Sequence, residues 1–167
     1  AHSHARGVIH RDIKPGNVLL VEEGDVLRAK LSDFGIAHAK GERLETREVF
    51  ASSAGTPWYM SPEQIQSRWR DYGPWTDLYA LGCLAYELVA GQTPFTGEPV
   101  RVAHAHLADP VPALAPRFTV PEGFLEWVYR LIAKDIGDRF QRVADAAWAL
   151  RRLTSHWDKP AATIETP

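Results

Sequence analysis

Apolar residues in the second half of the chain recur at steps of three and four, the period of a helix with a buried face. The strongest run, residues 76–90, is apolar on nearly every face, which predicts a helix in the centre of the core. Gly91 and Pro94 follow this run and predict its end. The same spacing predicts three further helices, over residues 100–108, 121–132 and 143–153.

The first part of the chain has the shorter period of strands. Apolar residues at 18–21 and 26–31 predict two strands, and Gly24-Asp25 predicts the turn between them. From Leu27 to Leu31 apolar residues alternate with basic ones, the pattern of a half-buried strand. The predicted fold is therefore mainly α, in the α+β class, with one small β-hairpin beside a helical bundle.

Two segments follow neither period. Residues 40–54 are polar, charged and aperiodic, which is typical of a long loop. Residues 158–167 gain proline and threonine and resemble a linker. Between them, Ser61 and Gln64 fit a capping box with Pro62 at the first helical position. We therefore predict one domain over residues 1–157 and a tail over residues 158–167.

The composition of the chain excludes several classes of protein. A formal net charge of -2, with tryptophans that are scattered and show no regular interleaving with basic residues, argues against nucleic-acid binding and against contact of this segment with a membrane. Cys83 is the one cysteine, so no internal disulfide is possible, and its apolar neighbours predict a core position. His104 and His106 are two positions apart, where helical side chains diverge, so we expect no metal pair there.

The polar loop at residues 10–17 carries the densest set of side chains that can act on a phosphate. Asp12 can orient a hydroxyl nucleophile and accept its proton, and Lys14 can neutralise charge on a moving phosphoryl group. Asn17 and Asp33, which follows the second strand, offer oxygen ligands of the kind that Mg²⁺ prefers. The spacing of these residues favours phosphoryl transfer.

These motifs resemble those of the eukaryotic-like Ser/Thr protein kinases. The sequence around the first motif looks most like that of bacterial members. His10-Arg11-Asp12-Ile13-Lys14-Pro15-Gly16-Asn17 is similar to the catalytic loop of that family, and Asp33-Phe34-Gly35 to its metal-binding motif. The resemblance implies the C-terminal lobe of a kinase domain that uses ATP with Mg²⁺ or Mn²⁺. It implies that Asp12 is the catalytic base, that Lys14 contacts the γ-phosphate, that Asn17 and Asp33 bind the metal, and that Leu19 lies beneath the adenine.

The resemblance continues along the chain. Ser61-Pro62-Glu63 is similar to the motif that closes the activation segment, and Thr56 to the threonine that contacts the catalytic Asp and Lys near the substrate. Asp77 is similar to the buried aspartate that holds the backbone of the catalytic loop. Arg139 is similar to the arginine that pairs with the glutamate of the motif, here Glu63.

The resemblance also implies regulation. Arg11 precedes the catalytic Asp, as in kinases that are switched by phosphorylation of the activation loop. A phosphate there could dock on this arginine and order the loop. We expect Ser52 and Ser53 as the first acceptors and Thr46 as the third.

Half of a kinase ATP site has no counterpart in these residues. The chain contains no Gly-rich loop, no strand lysine and no partner glutamate before His10, and residues 1–7 resemble the end of a helix. We therefore expect the chain to be cut from a longer protein, to need the N-terminal kinase lobe as a partner, and to be inactive alone.

The resemblance also implies substrates, an assembly and a location. The substrates would be proteins. A homodimer is a possible assembly, in which the protein would phosphorylate itself. The domain would be cytoplasmic, in a full-length protein that is either soluble or anchored in a membrane. The alternative function is a kinase-like scaffold without catalysis, which the retention of Asp12, Lys14, Asn17 and Asp33 disfavours.

Overall fold

The computed structural model describes residues 4–24, 26–33 and 57–155. In these ranges it has two strands and five α-helices, which confirms the predicted mainly helical fold with a small hairpin. The elements are β1 (Val18–Glu23), β2 (Val26–Leu31), α1 (Pro62–Ile65), α2 (Pro74–Ala90), α3 (Pro99–Ala108), α4 (Phe124–Leu131) and α5 (Val143–Thr154). Short 3-10 turns lie at His4–Arg6, Pro15–Asn17, Pro57–Tyr59, Trp69–Asp71 and Ile136–Asp138.

Helix α2 lies at the centre of the core. Its side chains Leu78, Tyr79 and Cys83 are almost completely buried and pack against α4 and α5. At Gly82 an added Cβ would lie 2.5 Å from Cγ2 of Ile132 and 2.7 Å from Cβ of Leu131, so α2 and α4 approach too closely for a side chain there. Burial raises the pKa of the Cys83 thiol, as expected for a core cysteine.

Proline and glycine residues determine where α2 begins and ends. The helix begins at Pro74, two residues before the predicted start, because proline is readily accommodated in the first turn. It ends at Gly91, which has a φ of 76° and is the left-handed residue that terminates the helix.

The hairpin is more exposed than its pattern predicts. β1 pairs antiparallel with β2 in a register that joins Val18 to Leu31 and Glu23 to Val26. Every residue of β2 is exposed, so the predicted half-buried strand is wrong. The reason is that the described part of the sheet has two strands and no described element packs closely over β2, whereas Val18 of β1 packs on Ile13, Ala80 and Leu84.

One face of the hairpin borders an apolar cavity of about 590 Å³. The cavity also touches α2 and the start of α5, and its apolar lining includes Val8, Leu20, Leu31, Leu81, Leu88 and Val143. Leu88 is 68% exposed although it belongs to the apolar run of α2. This part of α2 therefore lines an open cavity instead of the packed core.

Two further observations concern the surface of the described residues. No helix in these ranges is both long enough and apolar enough to cross a lipid bilayer.

Trp148 on α5 is 60% exposed and lies against the Arg152 guanidinium, whereas Trp127 on α4 is buried. Tryptophans in the described residues therefore occur both in the core and at the surface.

Candidate active site

The polar loop before β1 is attached to the first turn of α2 through one buried carboxylate. The backbone N–H of His10 donates to Oδ2 of Asp77 at 2.8 Å, and the N–H of Arg11 donates to Oδ1 at 2.8 Å. Asp77 is 3% exposed and lies near the helix N-terminus, where the helix dipole favours negative charge. The position of the loop is therefore fixed from α2.

His4 also contacts this carboxylate, and the sequence did not predict it. Its Nε2 lies 2.6 Å from Oδ2 of Asp77, the same oxygen that accepts from His10. The two residues are 73 positions apart, so no local pattern could have paired them. His4 helps to orient the carboxylate that holds the loop.

Three predicted site residues form one hydrogen-bonded cluster. Lys14 Nζ lies 2.9 Å from Oδ2 of Asp12. The Nδ2 amide of Asn17 donates to the same oxygen at 2.9 Å and to the Asp12 carbonyl at 2.7 Å. Asn17 is buried, whereas the Asp12 side chain is 38% exposed. The cluster presents a carboxylate with a cation beside it at the surface.

The loop is hydrogen-bonded to the end of the hairpin. Nε2 of His10 donates to the Ser32 carbonyl at 2.9 Å, and the N–H of Ser32 donates to the Asn17 carbonyl at 2.9 Å. Asp33 follows Ser32 and its side chain is exposed. Asn17 is thus joined by a hydrogen bond to Ser32, the residue that precedes Asp33.

Backbone strain coincides with these loops. Arg11 and Asp33 have φ angles of 67° and 52°, in the left-handed region that side chains other than glycine rarely occupy. Ser67 is the one other such residue that the described ranges contain. Strain of this kind costs about 1–2 kcal/mol per residue and persists where surrounding contacts enforce it.

Glu63 and Arg139 form a fully buried ion pair beneath the site. The guanidinium Nη1 and Nη2 atoms donate to Oε1 and Oε2 at 2.9 and 3.0 Å, and the Thr76 hydroxyl also donates to Oε1. Burial raises the pKa of Glu63, but the hydrogen bonds and charge of Arg139 and the hydroxyl of Thr76 together lower it below its usual value. The carboxylate is therefore ionised at neutral pH.

Arg11 connects the loop to α1 and to Tyr72. Its carbonyl accepts from Nε2 of Gln64, and its guanidinium lies 5.6 Å from the centre of the Tyr72 ring. Its Nε is buried and has no hydrogen-bond partner among the described residues. The capping-box pattern identified Gln64 as a helix residue but not as a partner of the loop.

The remaining predicted residues divide into two groups. Leu19 lies on β1 and is 52% exposed. Thr46, Ser52, Ser53 and Thr56, with Phe34 and Gly35, fall outside the residues that the structure describes.

Comparison with known proteins identifies the family. The protein kinase domain model matches residues 1–142. A probable serine/threonine-protein kinase PknB of Corynebacterium glutamicum is 38% identical over 178 aligned positions, which cover 99% of this chain and 26% of the relative. Serine/threonine-protein kinase PknB of Mycobacterium tuberculosis is 37% identical, with coverage of 90% and 24%.

A third relative is likewise named as a serine/threonine-protein kinase. The probable serine/threonine-protein kinase SCO3848 of Streptomyces coelicolor is 41% identical over 84% of this chain and 20% of its own length. The chain thus spans about a quarter of the length of the curated relatives it matches. The family model covers well over half of the chain, and the chain belongs to the protein kinase domain family.

Proposed function

We propose that the chain is the catalytic-loop half of a Ser/Thr protein kinase, which transfers the γ-phosphoryl group of ATP to hydroxyl groups of proteins. The observation that carries this proposal is the cluster of Asp12, Lys14 and Asn17, held against α2 through Asp77. Phosphoryl transfer depends mainly on positioning and charge neutralisation, and this cluster supplies both.

The proposed chemistry assigns one task to each side chain. The Asp12 carboxylate accepts a hydrogen bond from the substrate hydroxyl and then its proton, while the hydroxyl oxygen forms a bond to the γ-phosphorus. The bond from this phosphorus to the β,γ-bridging oxygen breaks, and ADP leaves. Lys14, 2.9 Å from Asp12, contributes positive charge toward the γ-phosphate. Leu19, exposed on β1, contributes the apolar surface beneath the adenine.

The donor atoms available fit a hard cation such as Mg²⁺ or Mn²⁺. The Nδ2 atom of Asn17 is engaged by Asp12, which turns the amide oxygen of Asn17 away from that carboxylate. Asn17 and the exposed carboxylate of Asp33 would hold the metal, which neutralises phosphate charge when it is bound. The described residues hold no cluster of three His, Cys, Asp or Glu, and Mg²⁺ needs few protein ligands because it retains several waters.

The surroundings of Arg11 support regulation by phosphorylation. Its Nε is buried without a hydrogen-bond partner among the described residues, and its φ of 67° is strained. A phosphate on Ser52, Ser53 or Thr46 would supply acceptor oxygens to this guanidinium and order the segment that contains Thr56. Transfer of the γ-phosphoryl group from ATP bound by one copy of the full-length protein to a hydroxyl group of a second copy, with release of ADP, would be one route to this state.

The isolated 167-residue chain is proposed to bind ATP weakly and to lack useful turnover. It contains no Gly-rich loop or strand lysine for the phosphates. The exposed hairpin and its apolar cavity are surfaces that further protein would cover, and the N-terminal kinase lobe is the proposed partner at the hairpin. The proposed setting of the complete domain is the cytoplasm.

Replacement of Asp12 in the full-length protein tests the proposal. Asp12→Asn removes the proton acceptor but preserves the shape, so we expect kcat for a protein substrate to fall by about 10²- to 10⁴-fold. The matched control is Asp145→Asn, which alters an exposed carboxylate on α5 paired with Arg142 and leaves kcat unchanged. Equal activity of Asp12→Asn and the wild type would refute the assignment of the base.

A further inference from the structure

Lys134, in the loop after α4, is a half-buried cation that the proposed chemistry does not use. Its Nζ donates to the carbonyl oxygens of Ala105 and His106 at 2.8 and 2.9 Å. These carbonyls lie in the last turn of α3, where the Ala105 carbonyl also accepts from the Asp109 N–H at the end of the helix. The ammonium also lies 4.3 Å from the centre of the Phe95 ring. Lys134 therefore holds the end of α3.

This arrangement is costly to the fold. Burial lowers the pKa of Lys134 to about 8, while the Asp109 carboxylate favours the charge and the Arg139 guanidinium disfavours it. A methionine of similar length would fill the same space without a charge to desolvate. A cation kept at such a cost is a candidate for a role beyond stability.

His106 belongs to the same turn and makes contacts of its own. The ring is fully buried, its Nδ1 lies 2.8 Å from the Tyr79 hydroxyl, and it packs edge-on against Phe95 at 4.9 Å between ring centres. Burial and then the charge of Lys134 lower its pKa to about 3, so the ring is neutral at physiological pH. The ring is close enough to the Trp58 main chain to be influenced by it, and its Nε2 is buried without a hydrogen-bond partner among the described residues.

Trp58 connects this turn to the candidate active site. Its side chain packs on the cluster of Phe95, Val102 and Ala105, and it belongs to the 3-10 turn Pro57–Tyr59. That turn directly follows Thr56 and precedes Glu63, the partner of Arg139. A displacement of the end of α3 would thus reach the segment where the substrate is proposed to bind.

We propose that Lys134 and His106 form a latch that holds the last turn of α3 against Trp58 and thereby positions the Pro57–Tyr59 turn for the protein substrate. The substrate part of this inference rests on the proposed kinase function, whereas the positioning of the turn does not. Lys134 and His106 are positioning residues, since each acts through α3 and Trp58.

The test uses the full-length protein with Lys134→Met, Lys134→Arg and the control Arg151→Met, which removes an exposed cation on α5. Hydrogen exchange of the Met60 amide reports on the turn, because this N–H donates to the Pro57 carbonyl at 3.2 Å. Charged hydrogen bonds of this kind shift local equilibria by about tenfold or more. We expect the Met60 amide to exchange about tenfold faster in Lys134→Met, to recover in Lys134→Arg and to be unchanged in Arg151→Met.

A second amide separates the latch from a simple helix cap. The Asp109 N–H donates to the Ala105 carbonyl, one of the two that Lys134 contacts. If Lys134→Met speeds exchange at Asp109 but not at Met60, Lys134 caps α3 only and the latch is refuted. If the amide spectrum shows that Lys134→Met does not fold, Lys134→Gln is used instead. An exchange rate of the Met60 amide in Lys134→Gln equal to the wild-type rate would likewise refute the latch.

Kinetics test the substrate part separately. We expect Lys134→Met to raise KM for a protein substrate by about tenfold, with KM for ATP and kcat within about twofold of wild type. Faster Met60 exchange without a change in this KM would overturn the role in substrate positioning. Absence of all kinase activity, even in the wild type, would refute the proposed function and with it the substrate part, while the exchange rates still decide whether the latch exists.

Discussion

The loop at residues 10–17 has two sides that differ in how the chain holds them. On the side of α2, buried polar groups meet with defined partners: Asp77 accepts the amides of His10 and Arg11, and Glu63 pairs with Arg139. On the side of the hairpin, apolar side chains such as Leu20 and Leu27 are more than half exposed. The loop is therefore held in position on the side of α2 and is open on the side of the hairpin, where nucleotide and further protein are proposed to bind.

The largest effect is expected on the buried side, from removal of one partner of the ion pair. Arg139→Met leaves the Glu63 carboxylate buried and unpaired, so the free energy of unfolding should fall by about 3–5 kcal/mol. Urea denaturation measures this loss. Arg142→Met, which breaks the exposed pair with Asp145, is the control and should cost less than about 1 kcal/mol. Equal losses in the two variants would contradict the comparison.

A smaller effect is expected where the loop is attached. Asp77→Asn keeps one acceptor oxygen but turns an N–H₂ group toward a donor, the His10 amide or the Arg11 amide. We expect a loss of about 1–3 kcal/mol in unfolding free energy and faster hydrogen exchange at the affected amide. Asp145→Asn is again the matched control. If exchange at both amides stayed at the wild-type rate, Asp77 would not position the loop.

The pH dependence of stability gives a third test on the buried side. Burial depresses the pKa of His106 to about 3 from an unfolded value near 6.5, so its contribution is complete above pH 6.5 and is lost as pH falls toward 3, because the unfolded state binds the proton. Between pH 6.5 and 5 this loss is about 1.5 kcal/mol. We expect His106→Gln to remove this part of the pH dependence in denaturation curves. An unchanged slope in the variant would indicate that His106 is not buried neutral.

The smallest effect is expected on the open side. Leu27→Thr replaces a side chain that is 59% exposed with a β-branched residue suited to a strand. We expect a change within about 0.5 kcal/mol in unfolding free energy, measured by the same urea titration. A loss of unfolding free energy as large as that of Asp77→Asn would show that this face of the hairpin is packed within the chain. The two sides of the loop would then not differ in burial.

The sequence predicted the elements well where the signal is local. Helical spacing located α2 to α5, and the capping residues Ser61 and Gln64 located the start of α1. The spacing of the 10–17 loop brought Asp12, Lys14 and Asn17 together because the three fall within six positions of one turn-forming segment.

The errors arose where a neighbour distant in sequence decides the outcome. Alternation in β2 indicated one buried face, but burial requires a covering layer that these residues do not contain. Leu88 followed the apolar period of α2 yet lines an open cavity. His4 and Lys134 have polar partners 73 and 29 positions away, so their contacts depend on how helices pack and not on any local pattern.

We propose that the loop at residues 10–17 is positioned for catalysis but needs protein on its open side before it can act. The direct measurement is transfer of radiolabelled phosphate from ATP to a protein substrate, compared at equal concentration for the isolated 167-residue chain and for the full-length protein. The account predicts transfer by the full-length protein, loss of it in Asp12→Asn, and no transfer above background by the isolated chain. Robust turnover by the isolated chain would contradict the account.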